Sequence, residues 1–427
     1  MAKTFLALLV AALAVAGAAQ SDPKERIRWV RNSSKHGATS IPALENYIKH
    51  DPDDSVRSES VKALIAIGGD QTLNALILAA GDQDSEVQAR ATDGIVNVYI
   101  PGYYKGGFAA SLKRAGNGIK GRLSDDTGLA VEPGTPVKPE AQEAVARLVK
   151  QGTWPEVKAN AARACGILRA RQAVPNLRDA LKGRDTQLLF EALVALEKIR
   201  DPSAAPEVTV LVSDLNEKVQ VAAIELAGLL RSRQSLPALQ RAFNNSASPR
   251  VRATALSAVA IIPDESNRAI FDNAFADKDD DMRAAAAEGF GRIGKAGDIA
   301  RLERAFDSET HMKPRLSLAF ALAKLGRLEI SEFSPLQYLI NTLNSAAYRG
   351  IAHPFLVELA AEKSVREAIY PVLDHCNARE KVELAGVLAD SGDKASLPVL
   401  ERMAGDSDPK VAQASHRGIN AIKSRFP

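Results

Sequence analysis

The amino-acid sequence predicts an all-α fold, a repeat array of about eleven helix pairs with a period of about 31 residues. Three observations support this fold class. One hydrophobic pattern recurs along most of the chain, its positions fall on one stripe of a helix, and only 5% of the residues are aromatic. Thin layers of paired helices are filled mainly by Ala, Leu, Val and Ile, so such an array needs few aromatic side chains.

The first element is a predicted signal peptide at residues 1–19. Lys3 precedes an apolar run from Phe5 to Ala16, and Ala16-Gly17-Ala18 offers small residues for cleavage. A retained membrane anchor is the alternative, but the run is shorter than the ~20 residues that span a bilayer. We therefore expect an exported protein, periplasmic or extracellular, with no transmembrane span after cleavage. A short amphipathic stretch from Lys24 to Lys35 follows, and it predicts a capping helix.

The repeats come next, and each has an anchor position. The residue four positions after the anchor is Ala or Ser in nine of eleven repeats, and the residue eight positions after it is always apolar. A further position, eleven after the anchor, is apolar in ten of them. These offsets share one helix stripe. The anchors are Val56, Val87, Val157, Leu188, Val219, Val251, Met282, Pro314, Tyr348, Glu380 and Val411.

Each repeat also contains an earlier helix, which often begins with a proline between apolar residues, as at Pro42, Pro175, Pro237 and Pro398. Proline is tolerated in a first helical turn because its missing N–H would be unpaired there. An acidic residue recurs five positions before the anchor, and a basic residue often follows the anchor directly. Glycines that predict left-handed helix ends stand twelve positions after it, at Gly68, Gly294, Gly326 and Gly392.

These motifs resemble the HEAT repeat, and in particular the short bacterial, phycobilisome-lyase-type version. The best matches are DPDDSVRSESVKALIAIG, from Asp51 to Gly68, and DKDDDMRAAAAEGFGRIG, from Asp277 to Gly294. The resemblance implies an α-solenoid, a superhelix of antiparallel helix pairs. It also implies that turn residues such as Asp277 and Arg283 join neighbouring repeats and are structural. Repeats are expected at residues 24–100 and 140–427, as parts of one solenoid.

The motifs that suggest chemistry are weak. Gly289 to Gly294 satisfies GxGxxG, but no strand precedes it, so it predicts no nucleotide site. The six histidines are scattered without His-Glu pairs, which argues against metal and against deoxyhypusine-hydroxylase chemistry. Cys165 and Cys376 are expected to be buried and unbridged. We predict no catalytic residue, no cofactor and no metal ligand. The near-balanced charge of +3 excludes a general nucleic-acid binder.

The period breaks at residues 101–139, where the sequence inserts a Gly-rich segment that is basic and aromatic in its first half. Loops of this length are usually functional or disordered. Three interpretations stay open: a structural filler between repeats, a docking loop for a partner protein or anionic envelope polymer, and a contact to an anionic lipid surface. The candidate partner-binding residues are Tyr103, Tyr104, Lys105, Phe108, Lys113, Arg114, Lys120 and Arg122.

The sequence therefore favours an exported, non-catalytic scaffold that mediates protein–protein interaction in the cell envelope. Stacked helix pairs present a long surface whose exposed residues can vary without disturbing the core. The alternative is an accessory enzyme or lyase with an active site in a groove of the array. A bound chromophore or a stoichiometric metal in the purified protein would distinguish the two.

Overall fold

The computed structural model describes residues 22–103, 129–132 and 134–426 of the chain. It divides into two compact units, Met1–Ser235 and Leu236–Pro427. The insertion therefore lies inside the first unit. Within the described ranges the secondary structure is helical, and no β-strand occurs.

The helices of the first unit are α1 (Pro23–Ser33), α2 (Ile41–His50), α3 (Asp54–Ile67), α4 (Leu73–Ala79), α5 (Ser85–Tyr99), α6 (Pro139–Gln151), α7 (Pro155–Ile167), α8 (Val174–Ala180), α9 (Thr186–Ile199), α10 (Ala205–Leu211) and α11 (Glu217–Leu229). Those of the second unit are α12 (Leu236–Asn245), α13 (Pro249–Ile261), α14 (Arg268–Ala274), α15 (Asp280–Ile293), α16 (Ile299–Ser308), α17 (Met312–Lys324), α18 (Pro335–Thr342), α19 (Arg349–Ala360), α20 (Lys363–Ile369), α21 (Ala378–Ser391), α22 (Leu397–Met403) and α23 (Pro409–Arg425).

From α2 onward each even-numbered helix is the first helix of a repeat, and the following odd-numbered helix is the second. Within each unit, successive second helices pack on one another. These are the odd-numbered helices from α3 to α11 in the first unit and from α13 to α23 in the second. The described residues form eleven helix pairs. The predicted all-α class and its repeat period are therefore confirmed.

The predicted hydrophobic stripe lies in the core. All eleven residues four positions after the anchors are at most 3% exposed, and all eleven residues eight positions after them are at most 8% exposed. The position eleven after the anchor is less uniform, because it falls at the helix end. Ile67 and Val98 are only half-buried there, and the anchor Tyr348 stands just before α19 and is exposed.

The turn between the two helices of a repeat explains the recurrent acidic residue. Asp51, five positions before its anchor, accepts a hydrogen bond from the backbone N–H of Asp53 at 2.9 Å. Asp53 in turn caps α3 by accepting from the N–H groups of Ser55 and Val56. Asp82 and Asp84 repeat this arrangement before α5. Side chains at the cap position satisfy N–H groups that a helix leaves unpaired, which is why the pattern recurs.

The same acidic residues join neighbouring repeats, as the resemblance implies. Each of four acidic turn residues accepts a hydrogen bond at 2.8 Å from a basic residue of the preceding repeat. The four pairs are Arg26–Asp51, Arg57–Asp82, Arg283–Glu309 and Lys381–Asp406. The ladder is not continuous: Arg252 bonds the carbonyl of Ser246 in its own turn, and Arg315 lies over the rings of Phe306 and Tyr338.

Helix α1 forms where the capping helix is predicted, and it shares features with the second helices of the repeats. Arg26 bonds Asp51 as Arg57 bonds Asp82, and both pairs are separated by 25 residues. α1 also packs on α3, as second helices do. It therefore occupies the place of a second helix, one repeat before the first anchor.

The helix ends differ from the prediction in two ways. Gly294 and Gly326 have positive φ angles of 81° and 95°, as expected. Gly392 instead has φ of −71°. A side chain does not fit there, because an added Cβ would lie 2.4 Å from the carbonyl oxygen of Leu388. In the first unit Gly68 also has a positive φ, of 69°, but three later repeats carry an arginine at the equivalent position: Arg169, Arg200 and Arg231, with φ of 49°, 58° and 50°. This conformation costs a residue with a Cβ about 1–2 kcal/mol, whereas a cation near a helix C-terminus gains about 0.3–1 kcal/mol.

Candidate functional site

The insertion starts and ends on the second helices of the first unit. After α5 the chain turns at Gly102 and places Tyr103 in a buried position, 8% exposed. At the other end, the backbone N–H of Lys138 donates to the hydroxyl of Tyr99, on the last turn of α5, at 3.0 Å. The two ends of the insertion are thus held at the same repeat.

The returning limb, residues 129–132, is fixed by its backbone. The N–H of Val131 donates to the carbonyl of Ile167 at 2.8 Å, and Arg169 Nε donates to the carbonyl of Val131 at 3.1 Å. Lys198 Nζ donates to the carbonyl of Leu129 at 2.9 Å. This non-helical segment therefore crosses the C-terminal ends of α7 and α9.

Beneath this limb lies a buried charge network on α7 and α9. Arg163 makes a two-pronged pair with Glu191, at 2.6 Å from Nη2 and 3.1 Å from Nε, and the side chains are 12% and 7% exposed. Gln187 donates a further hydrogen bond to Glu191 at 2.7 Å. Burial disfavours the charge on Arg163, but Glu191 outweighs it and raises the pKa of the guanidinium. We call Arg163, Arg169, Glu191 and Lys198 the insertion seat.

Lys198 is the titratable member of the insertion seat. The pKa of its ammonium group is lowered from 10.5 to about 8, mainly by burial; Glu191 and Glu197 oppose this shift, whereas Arg163 and Arg169 add to it. The charge of Lys198 therefore changes at pH values only slightly above neutral.

We expect Lys198→Met to alter the pH dependence of stability. Below pH 8 both folded and unfolded chains carry the proton, but between pH 8 and 10.5 the unfolded chain binds more protons. Loss of the proton then favours the folded state, so the contribution of Lys198 to stability rises with pH across this window. We expect the urea midpoint of the wild type, relative to that of the variant, to be higher at pH 10 than at pH 7. Parallel profiles for the two proteins would contradict the shifted pKa.

The repeats on either side of the insertion remain in direct contact. Asn160 Nδ2 on α7 donates to Asp93 Oδ1 on α5 at 3.0 Å. Thr153, in the turn before α7, donates to the side-chain oxygen of Gln88 from both its backbone N–H and its hydroxyl. The insertion is thus an excursion between two stacked repeats and does not interrupt their packing.

The structure locates one of the predicted partner-binding residues. Tyr103 is described and buried, as a structural filler would be. Tyr104, Lys105, Phe108, Lys113, Arg114, Lys120 and Arg122 lie outside the described residues. Sequence reasoning missed the insertion seat. Other charged residues, such as Lys158 and Glu197, also lie on α7 and α9, so charge alone did not distinguish Arg163 and Glu191.

The glycines of the GxGxxG match have packing roles. A Cβ on Gly289 would lie 2.4 Å from the ring of Phe271, and a Cβ on Gly291 would lie 2.6 Å from the Cα of Ala321 on α17. Gly294 ends α15 in the left-handed conformation. The three glycines of the motif therefore serve helix packing and the end of α15.

We expect Gly291→Ala to lower the free energy of unfolding of the second unit by about 1–3 kcal/mol, because its backbone contact leaves no room for a methyl group. Gly297→Ala is the control, since no atom lies within 4 Å of its added Cβ. Urea unfolding monitored by circular dichroism measures both. Equal stability of the two variants would show that the helices can separate without cost.

The described residues also bear on metal binding, on the two cysteines and on membrane spans. No group of three or more His, Cys, Asp or Glu residues there could hold a metal ion. Cys165 is free and buried, whereas Cys376 is free but only half-buried, contrary to expectation. Burial raises the pKa of the Cys376 thiol to about 11, so it is a poor nucleophile at neutral pH. Among the described helices, none combines the length and the apolar character needed to cross a bilayer.

Known proteins match the chain through its repeats. The family model for HEAT repeats matches residues 10–95 and 208–289, and the model for the PBS lyase HEAT-like repeat matches residues 157–183. The first match begins inside the predicted signal peptide. No curated protein is similar enough to the sequence to count as a match.

Several solved structures are similar at low identity. An engineered protein is 18% identical with a TM-score of 0.39, covering 82% of this chain and 98% of its own. The complex of CpcE and CpcF of phycocyanin lyase from Nostoc sp. PCC7120 is 18% identical with a TM-score of 0.36, covering 61% and 90%. Human deoxyhypusine hydroxylase is 19% identical with a TM-score of 0.28, covering 59% and 96%. Such similarity carries no inference about activity. With its helix pairs and the matches to two repeat models, this chain is a HEAT-repeat protein.

Proposed function

We propose that this HEAT-repeat protein is an exported, non-catalytic scaffold that binds a partner protein in the cell envelope through its insertion. The observation that carries the proposal is the anchoring of the insertion. Tyr103 is buried at one end, and Leu129 and Val131 are bonded to Lys198 and Arg169 at the other. The two described ends of the insertion, before residue 104 and after residue 128, are therefore fixed on the array.

The composition of residues 104–128 supports a partner-binding role. Lys105, Lys113, Arg114, Lys120 and Arg122 carry five positive charges, and no acidic residue lies among them. Tyr104 and Phe108 add aromatic side chains, and Tyr and Arg are frequent hot-spot residues at interfaces. A positively charged, aromatic loop suits a partner protein with an acidic surface.

The experiment replaces residues 104–128 with a short Gly-Ser linker and keeps Tyr103 and residues 129–138, which include the returning limb. We expect the variant to retain its helical circular-dichroism signal and cooperative melting, and to lose its partner in pull-downs from an envelope fraction. A large loss of thermal stability would favour the structural filler instead. Unchanged capture would contradict the docking role.

A charge-matched pair of variants sharpens the test. One variant changes the five basic residues of the segment to Gln. The control changes five exposed lysines elsewhere to Gln: Lys150, Lys182, Lys313, Lys363 and Lys423. Loss of capture in the first variant alone supports the proposal, whereas equal loss in both indicates only a general effect of charge.

Export is tested separately, by sequencing the N-terminus of the protein recovered from the envelope fraction. We expect the mature chain to begin shortly after Ala18. A protein that retains Met1 would contradict cleavage, and in that case residues 10–21 of the repeat match would belong to the mature chain.

A stoichiometric chromophore or metal in the purified protein would contradict the non-catalytic role and favour an accessory enzyme or lyase.

A further inference from the structure

One connection between repeats of the second unit is longer than the others. Residues 325–334 join α17 to α18 without a helical turn, and we call them the long link. The connections before α14, α16 and α22 have only five or six residues, and each contains a short 3-10 helix. The anchors on either side of the long link, Pro314 and Tyr348, are accordingly 34 residues apart. In repeat arrays such additions fall in loops, often on a binding face.

The long link is ordered by hydrogen bonds. The backbone N–H of Arg327 donates to the carbonyl of Leu322 at 3.0 Å, and the backbone N–H of Ser334 donates to the carbonyl of Ser331, also at 3.0 Å. The Ser334 hydroxyl donates to the same carbonyl at 2.9 Å. Between these two serines, Phe333 is 78% exposed. A well-bonded turn therefore presents an aromatic ring to solvent and forgoes the favourable burial of that ring.

Phe333 borders a cavity of about 360 Å³ in the second unit. The other apolar side chains in its lining are Phe306 on α16, Leu322 on α17 and Pro335 at the start of α18. Phe306 and Leu322 are 5% and 0% exposed, and the ring of Phe306 makes an edge-on contact with Tyr338 at 5.5 Å. The cavity thus has a packed apolar floor and an exposed aromatic wall, and its volume is at the lower end of the range for ligand pockets.

The charged part of the lining is mainly acidic. Arg327 pairs with Glu303 at 2.7 Å, so this guanidinium is already neutralised. The other two charged residues of the lining, Asp307 and Glu329, are exposed, and neither forms an ion pair with another residue that the structure describes. Three carboxylates against one guanidinium give the lining a net charge of −2.

From this geometry we propose that the cavity binds a segment of a partner protein in which a Lys or Arg stands next to an apolar residue. The apolar side chain enters the cavity and covers Phe333, while the basic side chain reaches Asp307 and Glu329. Aromatic side chains supply much of the affinity of an interface, and charge complementarity selects the partner. The net negative charge disfavours an acidic segment. The proposal goes beyond the docking role of residues 104–128, because every residue involved lies in the second unit.

The first experiment selects a random-peptide library, displayed on phage, on the immobilised full chain. Phage that bind the triple variant Phe333→Ser, Asp307→Asn, Glu329→Gln are removed beforehand. All three residues are exposed, so this variant should melt at the wild-type temperature. We expect the selected peptides to share a Lys or Arg next to an apolar residue. Selection of acidic peptides, or no enrichment on the wild type over the variant, would overturn the proposal.

The second experiment measures the affinity of one selected peptide, labelled with fluorescein, by fluorescence anisotropy. We expect Phe333→Ser to weaken binding by at least about tenfold, as the loss of an aromatic hot spot does. Ile330→Ser is the matched control, because Ile330 is an exposed apolar residue of the same link but lies outside the cavity lining. Equal affinities of the two variants would contradict the apolar contact.

A charge-matched pair of variants tests the rim. Asp307→Asn combined with Glu329→Gln should weaken binding, and the difference from the wild type should shrink at high salt, because salt screens exposed charges. Glu332→Gln combined with Asp390→Asn is the control, since both carboxylates are exposed and neither lines the cavity. An equal loss in both double variants would contradict recognition of the basic residue.

The chain in which a Gly-Ser linker replaces residues 104–128 separates this proposal from the docking role of the insertion. That chain should bind the selected peptide with wild-type affinity, and a loss of peptide binding would overturn the cavity proposal. If it binds the peptide and also captures an envelope partner unchanged, the docking role of the insertion fails and the cavity proposal stands.

Discussion

Replacing Glu191 with Ala should reduce the free energy of unfolding of the first unit by about 3–5 kcal/mol. Arg163 would lose a two-pronged ion pair while remaining buried, and an uncompensated buried charge is costly. Lys198 would also lose a nearby negative charge, so its pKa, already lowered by burial, should fall further. Urea unfolding of the wild type and the variant, followed by circular dichroism, measures the loss.

Two further variants separate the charge effect from packing. Arg163→Met combined with Glu191→Leu replaces the ion pair with apolar side chains, and we expect it to recover most of the lost stability. Asp179→Ala is the control, because the pair between Asp179 and Lys182 is largely exposed and should contribute less than about 1 kcal/mol. If Glu191→Ala were as mild as Asp179→Ala, the insertion seat would not be an energetically important part of the fold.

Glu191→Ala should also affect the insertion. The buried pair lies on α7 and α9, whose C-terminal ends bind Val131 and Leu129 through Arg169 and Lys198. Hydrogen exchange at Val131, whose N–H bonds the carbonyl of Ile167, reports on that attachment. Faster exchange in the variant is expected. Unchanged exchange would show that the limb is held by its backbone bonds alone.

The repeat architecture could be predicted from the sequence because its signal is local. Positions four and eight after each anchor lie on one helix stripe, so residues such as Ala161 and Cys165 are buried whatever the neighbouring repeat contains. The turn residues could be predicted through the family resemblance, since Asp51 and Arg57 recur at fixed spacing. In both cases the pattern lies within one repeat and is strengthened by its recurrence in the others.

The candidate site could not be predicted in the same way. The pairing of Arg163 with Glu191 joins residues 28 positions apart on different helices, and nothing in either repeat alone indicates it. Residues 129–131 are bound through their backbone, which carries no side-chain signal. Arg200 stands at the position that Gly294 occupies in its repeat, and because arginine rarely adopts the left-handed conformation, the sequence did not indicate such a helix end there.

The register of α1 was also hidden, because only one residue of the repeat pattern, Arg26, marks it. If α1 is a true second helix, its link to the array should depend on the buried pair of Arg26 with Asp51, whose side chains are 6% and 3% exposed. Asp51 holds the guanidinium through two hydrogen bonds, which raise the pKa of Arg26 despite burial.

Replacing Asp51 with Ala should therefore cost about 3 kcal/mol, because it leaves the buried Arg26 without a counter-charge and removes the acceptor for the N–H of Asp53. The loss should be local: hydrogen exchange should accelerate in α1 and in the first turn of α3 more than in α9. Glu45→Ala is the control, since its pair with Lys49 is exposed and should contribute under about 1 kcal/mol. Unchanged exchange in α1 would contradict a role for the pair of Arg26 and Asp51 in holding α1 on the array.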